Sequence, residues 1–237
     1  MTLSYRSARL IVLVAWSGLF CWLWVTGEVA RYLGPRTSWV VPFGALALAA
    51  AAILYGAWSD AGPDSRRRLS VGEAAGTAAM LAPVLVVLVM AHAALGSLAA
   101  SRKLASRGID PSRLEAVLSS HAAEVSFLEL RTAEEHPDYA ADNAIRAGRQ
   151  VMLTGFVLRP AAVHGAPFRL GRFYITCCVA DSIPIDTQID PPAGLPRYSK
   201  DTWLNVAGAL VRRGKRFSVR AARVTRIRQP EHPYLTF

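Results

Sequence analysis

Three uncharged apolar runs fill most of the first 100 residues and constrain the fold more than any other feature. Leu10 to Thr26 reads LIVLVAWSGLFCWLWVT, Thr37 to Ser59 contains WVVPFGALALAAAAILYGAW, and Ala74 to Ser101 is centred on LAPVLVVLVM. A helix rises about 1.5 Å per residue, so ~20 apolar residues cross a hydrocarbon core of ~30 Å. The runs predict three transmembrane helices, at about 10–28, 37–59 and 74–100. Pro42 falls near the start of the second, where a missing N–H matters least, and membrane helices tolerate Pro83. Arg6 and Arg9 before the first run also suit a signal peptide. The run ends in bulky Trp22, Leu23 and Trp24 without a small-residue cleavage site, so a retained anchor is expected.

Charge separates the two halves of the chain. The first 100 residues hold 7 Arg, no Lys and 4 acidic residues, and the remaining 137 hold 20 basic and 13 acidic residues. The first half is nearly charge-free and the second has ordinary globular polarity, which excludes a simple soluble enzyme, a disordered chain and a disulfide-stapled domain. Arg6, Arg9 and Arg66 to Arg68 flank one side of the spans, against Arg31 and Arg36 on the other. This bias predicts a cytoplasmic N-terminus and an extracytoplasmic C-terminal domain, although Arg102, Lys103 and Arg107 directly after the third run oppose it. His92 is the one ionisable side chain within that run. It is an intramembrane functional candidate, with a wetted position near the helix end as the alternative. Cys21 reads as a small packing residue.

Residues 101–148 read as a polar helical connector. Asp110-Pro111 is a helix start, Leu114, Val117 and Leu118 form a stripe, and a second short helix is expected over Pro137 to Ala147, with Gly148 suited to its end. From 149 to 237 the period becomes two. Strand-like runs span Gln150–Arg159, Phe168–Ala180, Thr202–Arg213 and Arg216–Arg228, separated by Pro- and Gly-rich breakers, including a loop over Asp181–Asp201. Gly155 and Gly208 inside strands suggest bends. The expected fold class is therefore a membrane α-helical N-terminal region plus a small all-β C-terminal domain, an OB-like barrel; a small sandwich is the alternative. Arg216, Arg220, Arg226 and Arg228 make the last run basic. A nucleic-acid face is one reading. Membrane anchoring favours lipid headgroups or an acidic partner, and no nucleic acid is expected.

The most specific local feature is RFYITCCVAD, Arg172 to Asp181. Neighbours on a regular strand point to opposite faces, so Cys177 and Cys178 converge only at a bulge or a strand end. Three readings remain open: a thiolate metal site with Asp181 (or with His164, His232, Asp186 or Asp190), a vicinal disulfide in an oxidising compartment, and plain packing of buried thiols. GxSxG, P-loop, HExxH and GxGxxG motifs are absent from the sequence, so no catalytic residue is assigned and an enzyme is not expected.

The order GFV (Gly155 to Val157), RFYITCCVADSIP (Arg172 to Pro184), DTWLNVAGAL (Asp201 to Leu210) and IRQPEHPYL (Ile227 to Leu235), with TGEVARYLGPR near the N-terminus, resembles the YcgQ-like family of bacterial membrane proteins, described as subunits of two-component permeases. Ser182 stands where that family more usually has Ala. The resemblance implies a multi-span permease partner in the bacterial cell membrane and a link to metal homeostasis, zinc in particular. It carries over Arg172, Cys177, Cys178, Asp181, Trp203, Gly208 and Tyr234 as candidate residues. Two functions are expected on these grounds: a membrane-anchored accessory subunit of a permease, or an extracytoplasmic metal-binding or thiol-sensing domain on a membrane anchor.

Overall fold

The computed structural model describes residues 4–58, 69–90, 95–104 and 125–236. The chain divides into two compact units, Met1–Ala93 and Ala94–Phe237.

In the first unit, α1 (Tyr5–Val25) starts at Ser4, whose side-chain oxygen accepts from Ser7 N–H at 3.2 Å. Gly27, at φ 73°, ends that helix and leads into a 3₁₀ turn, Glu28–Arg31, closed by a 2.6 Å Glu28–Arg31 ion pair. Helix α2 (Val40–Trp58) carries Pro42 in its first turn. Helix α3 (Val71–Met90) opens on a reciprocal cap: Glu73 Oε2 accepts from Ser70 N–H, and Ser70 Oγ accepts from Glu73 N–H. Among the described residues, three helices are long and apolar enough to cross a membrane: Tyr5–Val25, Val40–Trp58 and Val71–Val89.

Packing between these helices is narrow. Leu19, Leu23, Val29, Val41 and Val84 form the buried cluster. Trp16 Nε1 donates to the Met80 carbonyl at 3.1 Å, and Ser17 Oγ to the Ala45 carbonyl at 2.9 Å. A Cβ at Gly44 would meet the Phe20 ring at 3.0 Å, so glycine lets α1 and α2 approach closely there. Large side chains elsewhere on the helices stay open: Leu46 is 72% exposed, Ile53 71% and Val89 82%.

The third span ends earlier than the sequence suggested. Its helix is described to Met90, Leu95 and Gly96 are not helical, and Ser97–Leu104 forms a separate helix, α4, in the second unit. The apolar letters of Leu95 to Ala100 serve a different core. Ser97 is 4% exposed and Ala100 0%, and the Asp201 carboxylate accepts from Ser97 N–H and Oγ, capping α4. His92, Arg66 to Arg68 and the Asp110-Pro111 helix start lie outside the described residues.

The second unit is a closed five-stranded barrel. Its strands are β1 (Gln150–Arg159), β2 (Phe168–Tyr174), β3 (Ile183–Asp190), β4 (Trp203–Arg213) and β5 (Arg216–Arg226), in the order β1-β2-β3-β5-β4. All neighbours are antiparallel except β3 and β5. This is the expected OB-like architecture. Leu153, Val157, Leu170, Ile189, Leu204, Val206, Leu210 and Val219 point inward, each at most 1% exposed. At Gly208, beside a register shift in the β4–β5 pairing, an added Cβ would lie 2.2 Å from the Arg220 carbonyl. At Gly155 it would lie 2.5 Å from the Gly171 carbonyl. Both glycines thus permit the backbone approach that closes a small barrel.

Three expectations are corrected. Residues 125–148 are not a separate connector: α5 (Phe127–Glu135) and α6 (Pro137–Asp142) bury Phe127, Leu128, Leu130, Ala133 and Tyr139 in the barrel's own core. Helix α6 also stops at Asp142, ahead of Gly148, which sits at φ 86° and donates to the Leu210 carbonyl. The Asp181–Asp201 segment contains β3, whose Ile185, Thr187 and Ile189 face inward between outward Asp186 and Gln188. Pro184 is tolerated because β3 there pairs only with β2, its pairing with β5 starting at Gln188. Finally, the Phe168–Ala180 run leaves the sheet after Tyr174.

Candidate functional site: the Cys-Cys-Asp loop

Where β2 ends, the C-terminal segment takes over the pairing. Leu235 N–H donates to the Phe173 carbonyl at 2.7 Å, and Ile175 N–H to the Leu235 carbonyl at 3.0 Å. The chain then bends through Thr176 to Cys178 and enters a 3₁₀ turn, Val179–Asp181. Asp181 reaches back over the bend. Its carboxylate accepts from Thr176 N–H at 3.2 Å, from Cys177 N–H at 2.9 Å and from the Cys177 thiol at 3.1 Å. The two sulfurs are 3.8 Å apart. The strand end therefore lets the thiols converge. Neither is in a disulfide; Cys177 is exposed and Cys178 half-buried, which removes the reading of two thiols packed in a core.

A second clamp grips the other side of the loop. Lys103 Nζ, from α4, donates to the carbonyls of Val179, Ala180 and Ser182 at 3.3, 3.2 and 2.9 Å, and to Ser182 Oγ at 2.6 Å. Ser182 is 2% exposed, so its hydroxyl is a working acceptor in this chain. Asp181 thus holds the N–H groups of the loop and Lys103 its carbonyls. Asp181 lies within the segment the sequence singled out, whereas Lys103, 76 positions away from Val179, reads only as a membrane-flanking charge.

The electrostatics follow from that frame. Partial burial pushes the Asp181 carboxyl upward, but the hydrogen bonds from the Cys177 thiol and the loop N–H groups outweigh it and hold the acid below its usual value. The Cys177 thiol is pushed up to about 11, chiefly by its hydrogen bond to Asp181 and then by the one to Cys178. An ionised acid beside a thiol favours the protonated sulfur. Cys177 is therefore not an activated nucleophile at neutral pH.

Three other candidates form an aromatic mooring beneath the loop. Trp203 meets Phe156 edge-on at 5.6 Å, Phe156 stacks on Phe173 at 5.8 Å, and Phe173 meets Tyr234 at 6.5 Å. Arg172 lies over Trp203 at 5.9 Å and donates to the carbonyls of Pro233 and His232 at 3.1 and 2.5 Å. Burial lowers its pKa. The Tyr234 hydroxyl accepts from Leu95 N–H at 3.3 Å. Arg172, Trp203 and Tyr234 therefore fix the C-terminal segment against the end of β2, whereas Gly208 contacts Arg220 and Ala221 of β5.

The wider ligand set does not assemble. Asp186 pairs with Arg169, and Asp190 with Arg213 at 2.9 Å. Among the described residues, no group of three His, Cys, Asp or Glu side chains is arranged to hold a metal ion.

Three helices long and apolar enough to cross a membrane, followed by a barrel that presents a clamped thiol pair, fit a membrane-anchored protein with a β-barrel domain. Residues 142–236 match the family model of the DUF1980 C-terminal domain, which covers the whole barrel and the thiol loop and supports a DUF1980-type family for this domain. No curated protein matches the chain closely enough to count as a relative.

Proposed function

We propose that the protein is an accessory subunit of a two-component permease in the bacterial cell membrane, with its barrel on the extracytoplasmic side near the partner's pore. One observation carries this reading: at most 17% of the apolar stretch of any of the three spans is buried within the chain. The spans bury little against one another and offer apolar surface to a larger membrane protein as well as to lipid. Their few polar groups are spent on neighbouring backbone, as Ser17 is on Ala45 and Trp16 on Met80. Such helices do not line a hydrophilic path unaided. The multi-span partner and the link to zinc handling both come from the resemblance, and the basic β5, with Arg216, Arg220, Arg223 and Arg226 exposed, suits an acidic partner or lipid headgroups.

Affinity purification of the full chain in mild detergent tests this function. A multi-span membrane protein recovered in constant ratio supports it, and the chain recovered alone contradicts it. A reporter fused at the C-terminus tests the sidedness: activity specific to the outer compartment is expected, and activity confined to the cytoplasm overturns that part.

A further inference from the structure

We propose that Cys177 and Cys178 together bind one thiophilic cation of tetrahedral preference, such as Zn²⁺, as a two-thiolate pair whose remaining coordination positions are filled from outside the loop. The spacing points to this chemistry. With metal–sulfur bonds of about 2.3 Å, sulfurs 3.8 Å apart subtend an angle of ~111° at the metal, close to the tetrahedral value. A linear two-coordinate ion with bonds of that length needs sulfurs ~4.6 Å apart.

The loop is built to hold that spacing. Cys178 is extended, at φ −155° and ψ 170°, and the chain turns directly after it into the 3₁₀ turn. Asp181 fixes the N–H groups on one side, and Lys103 fixes the carbonyls on the other. A donor pair held by its surroundings does not have to be ordered when the ion arrives. Cys177 is exposed, so an ion has a route to the pair.

Binding breaks two S–H bonds and forms two S–metal bonds. Two protons go to solvent, and no atom changes oxidation state. The Asp181 carboxylate, 3.1 Å from the Cys177 sulfur, is the nearest acceptor for the first proton. Because a thiol must lose its proton to bind a metal, affinity rises with pH. Asp181 is engaged by the loop N–H groups, and among the described residues no group of three His, Cys, Asp or Glu side chains is arranged to hold a metal ion, so the open positions take water or a donor from another molecule. This site stands independently of the permease partnership, since co-purification decides that reading and metal titration decides this one.

The test uses the full chain in detergent, stripped of metal and titrated with Zn²⁺ against a chromophoric chelator. One Zn²⁺ per chain is expected, with release of about two protons and a sulfur-to-metal charge-transfer band when Co²⁺ replaces Zn²⁺. Cys177→Ser and Cys178→Ser each weaken binding about tenfold or more, and Cys21→Ser leaves it unchanged. Blocking the wild-type thiols with maleimide abolishes binding without any substitution, which separates loss of the site from loss of the fold. Binding that survives in the double Cys177→Ser, Cys178→Ser variant, or a wild-type chain that binds no better than that variant, overturns the proposal.

Discussion

Replacing Asp181 with Asn should make the Cys177 thiol more reactive. The acid at 3.1 Å raises the thiol from its ordinary 9.0 to about 11, with the Asp181 hydrogen bond as the largest cause. Below both values, two pH units correspond to about a hundredfold in thiolate fraction, and the thiolate is the form that alkylates. The sulfur is open to water, and solvent screening weakens the effect of a neighbouring charge. The expected gain is therefore at least about fivefold, with a hundredfold as its ceiling. Thr176 and Cys177 N–H are held by different oxygens of Asp181; Asn keeps one acceptor for them, and Lys103 still grips the carbonyl side of the bend. The assay is the rate of alkylation by a neutral reagent across the alkaline range. It is run with Cys21 and Cys178 changed to Ser, so that Cys177 alone reacts. Asp181→Asn should shift the profile to lower pH. Superimposed profiles, or a shift to higher pH, would refute the reasoning.

The barrel and its clamps yield further expectations. Gly208→Ala places a Cβ 2.2 Å from the Arg220 carbonyl and should destabilise the barrel by about 1–3 kcal/mol, read as a lower thermal midpoint; an unchanged midpoint would show that the close approach is not needed. Lys103→Met removes the ammonium from three carbonyls and the Ser182 hydroxyl. It should cost about 1.5–3 kcal/mol and speed amide exchange across Cys177 to Ser182, whereas unaltered exchange would mean that Asp181 alone holds the loop. At Glu134, burial raises the carboxyl pKa despite the hydrogen bond from Phe217 N–H. Its folded value then exceeds its unfolded one, so its contribution is full below the unfolded value and is lost as pH rises through the folded value. Glu134→Gln should flatten that decline in thermal melts, whereas Glu134→Ala, by orphaning the Phe217 N–H, should cost about 1–3 kcal/mol; a Glu134→Gln protein with the wild-type pH dependence would contradict this.

The sequence carried the spans and the barrel because both rest on local periodicity. Apolar runs near 20 residues have few alternatives to a membrane helix, and alternation from Gln150 onward has few alternatives to strands. It misled where one pattern serves two ends. Leu95 to Ala100 is as apolar as the span before it but packs as α4 in the barrel unit, because Asp201, 104 positions away from Ser97, caps it there. Strand β3 shows inward Ile185, Thr187 and Ile189, yet Pro184 within it and Pro191 and Pro192 after it gave the segment the appearance of a loop. Convergence of Cys177 and Cys178 was legible only as the consequence of a strand end, and the position of that end depends on pairing with Leu235. Lys103 and Ser182 could not be read at all, since a cation on three distant carbonyls leaves no spacing to detect.

An accessory-subunit role depends most heavily on the exposed apolar surface of the spans serving a partner. Photo-crosslinking in cells, with a reactive residue placed in turn at Leu46 and Ile53 of α2, which are 72% and 71% exposed, addresses that directly. A discrete adduct with one multi-span membrane protein is expected from at least one of these positions. Adducts formed only with lipid, or only with a second copy of this chain, would contradict it.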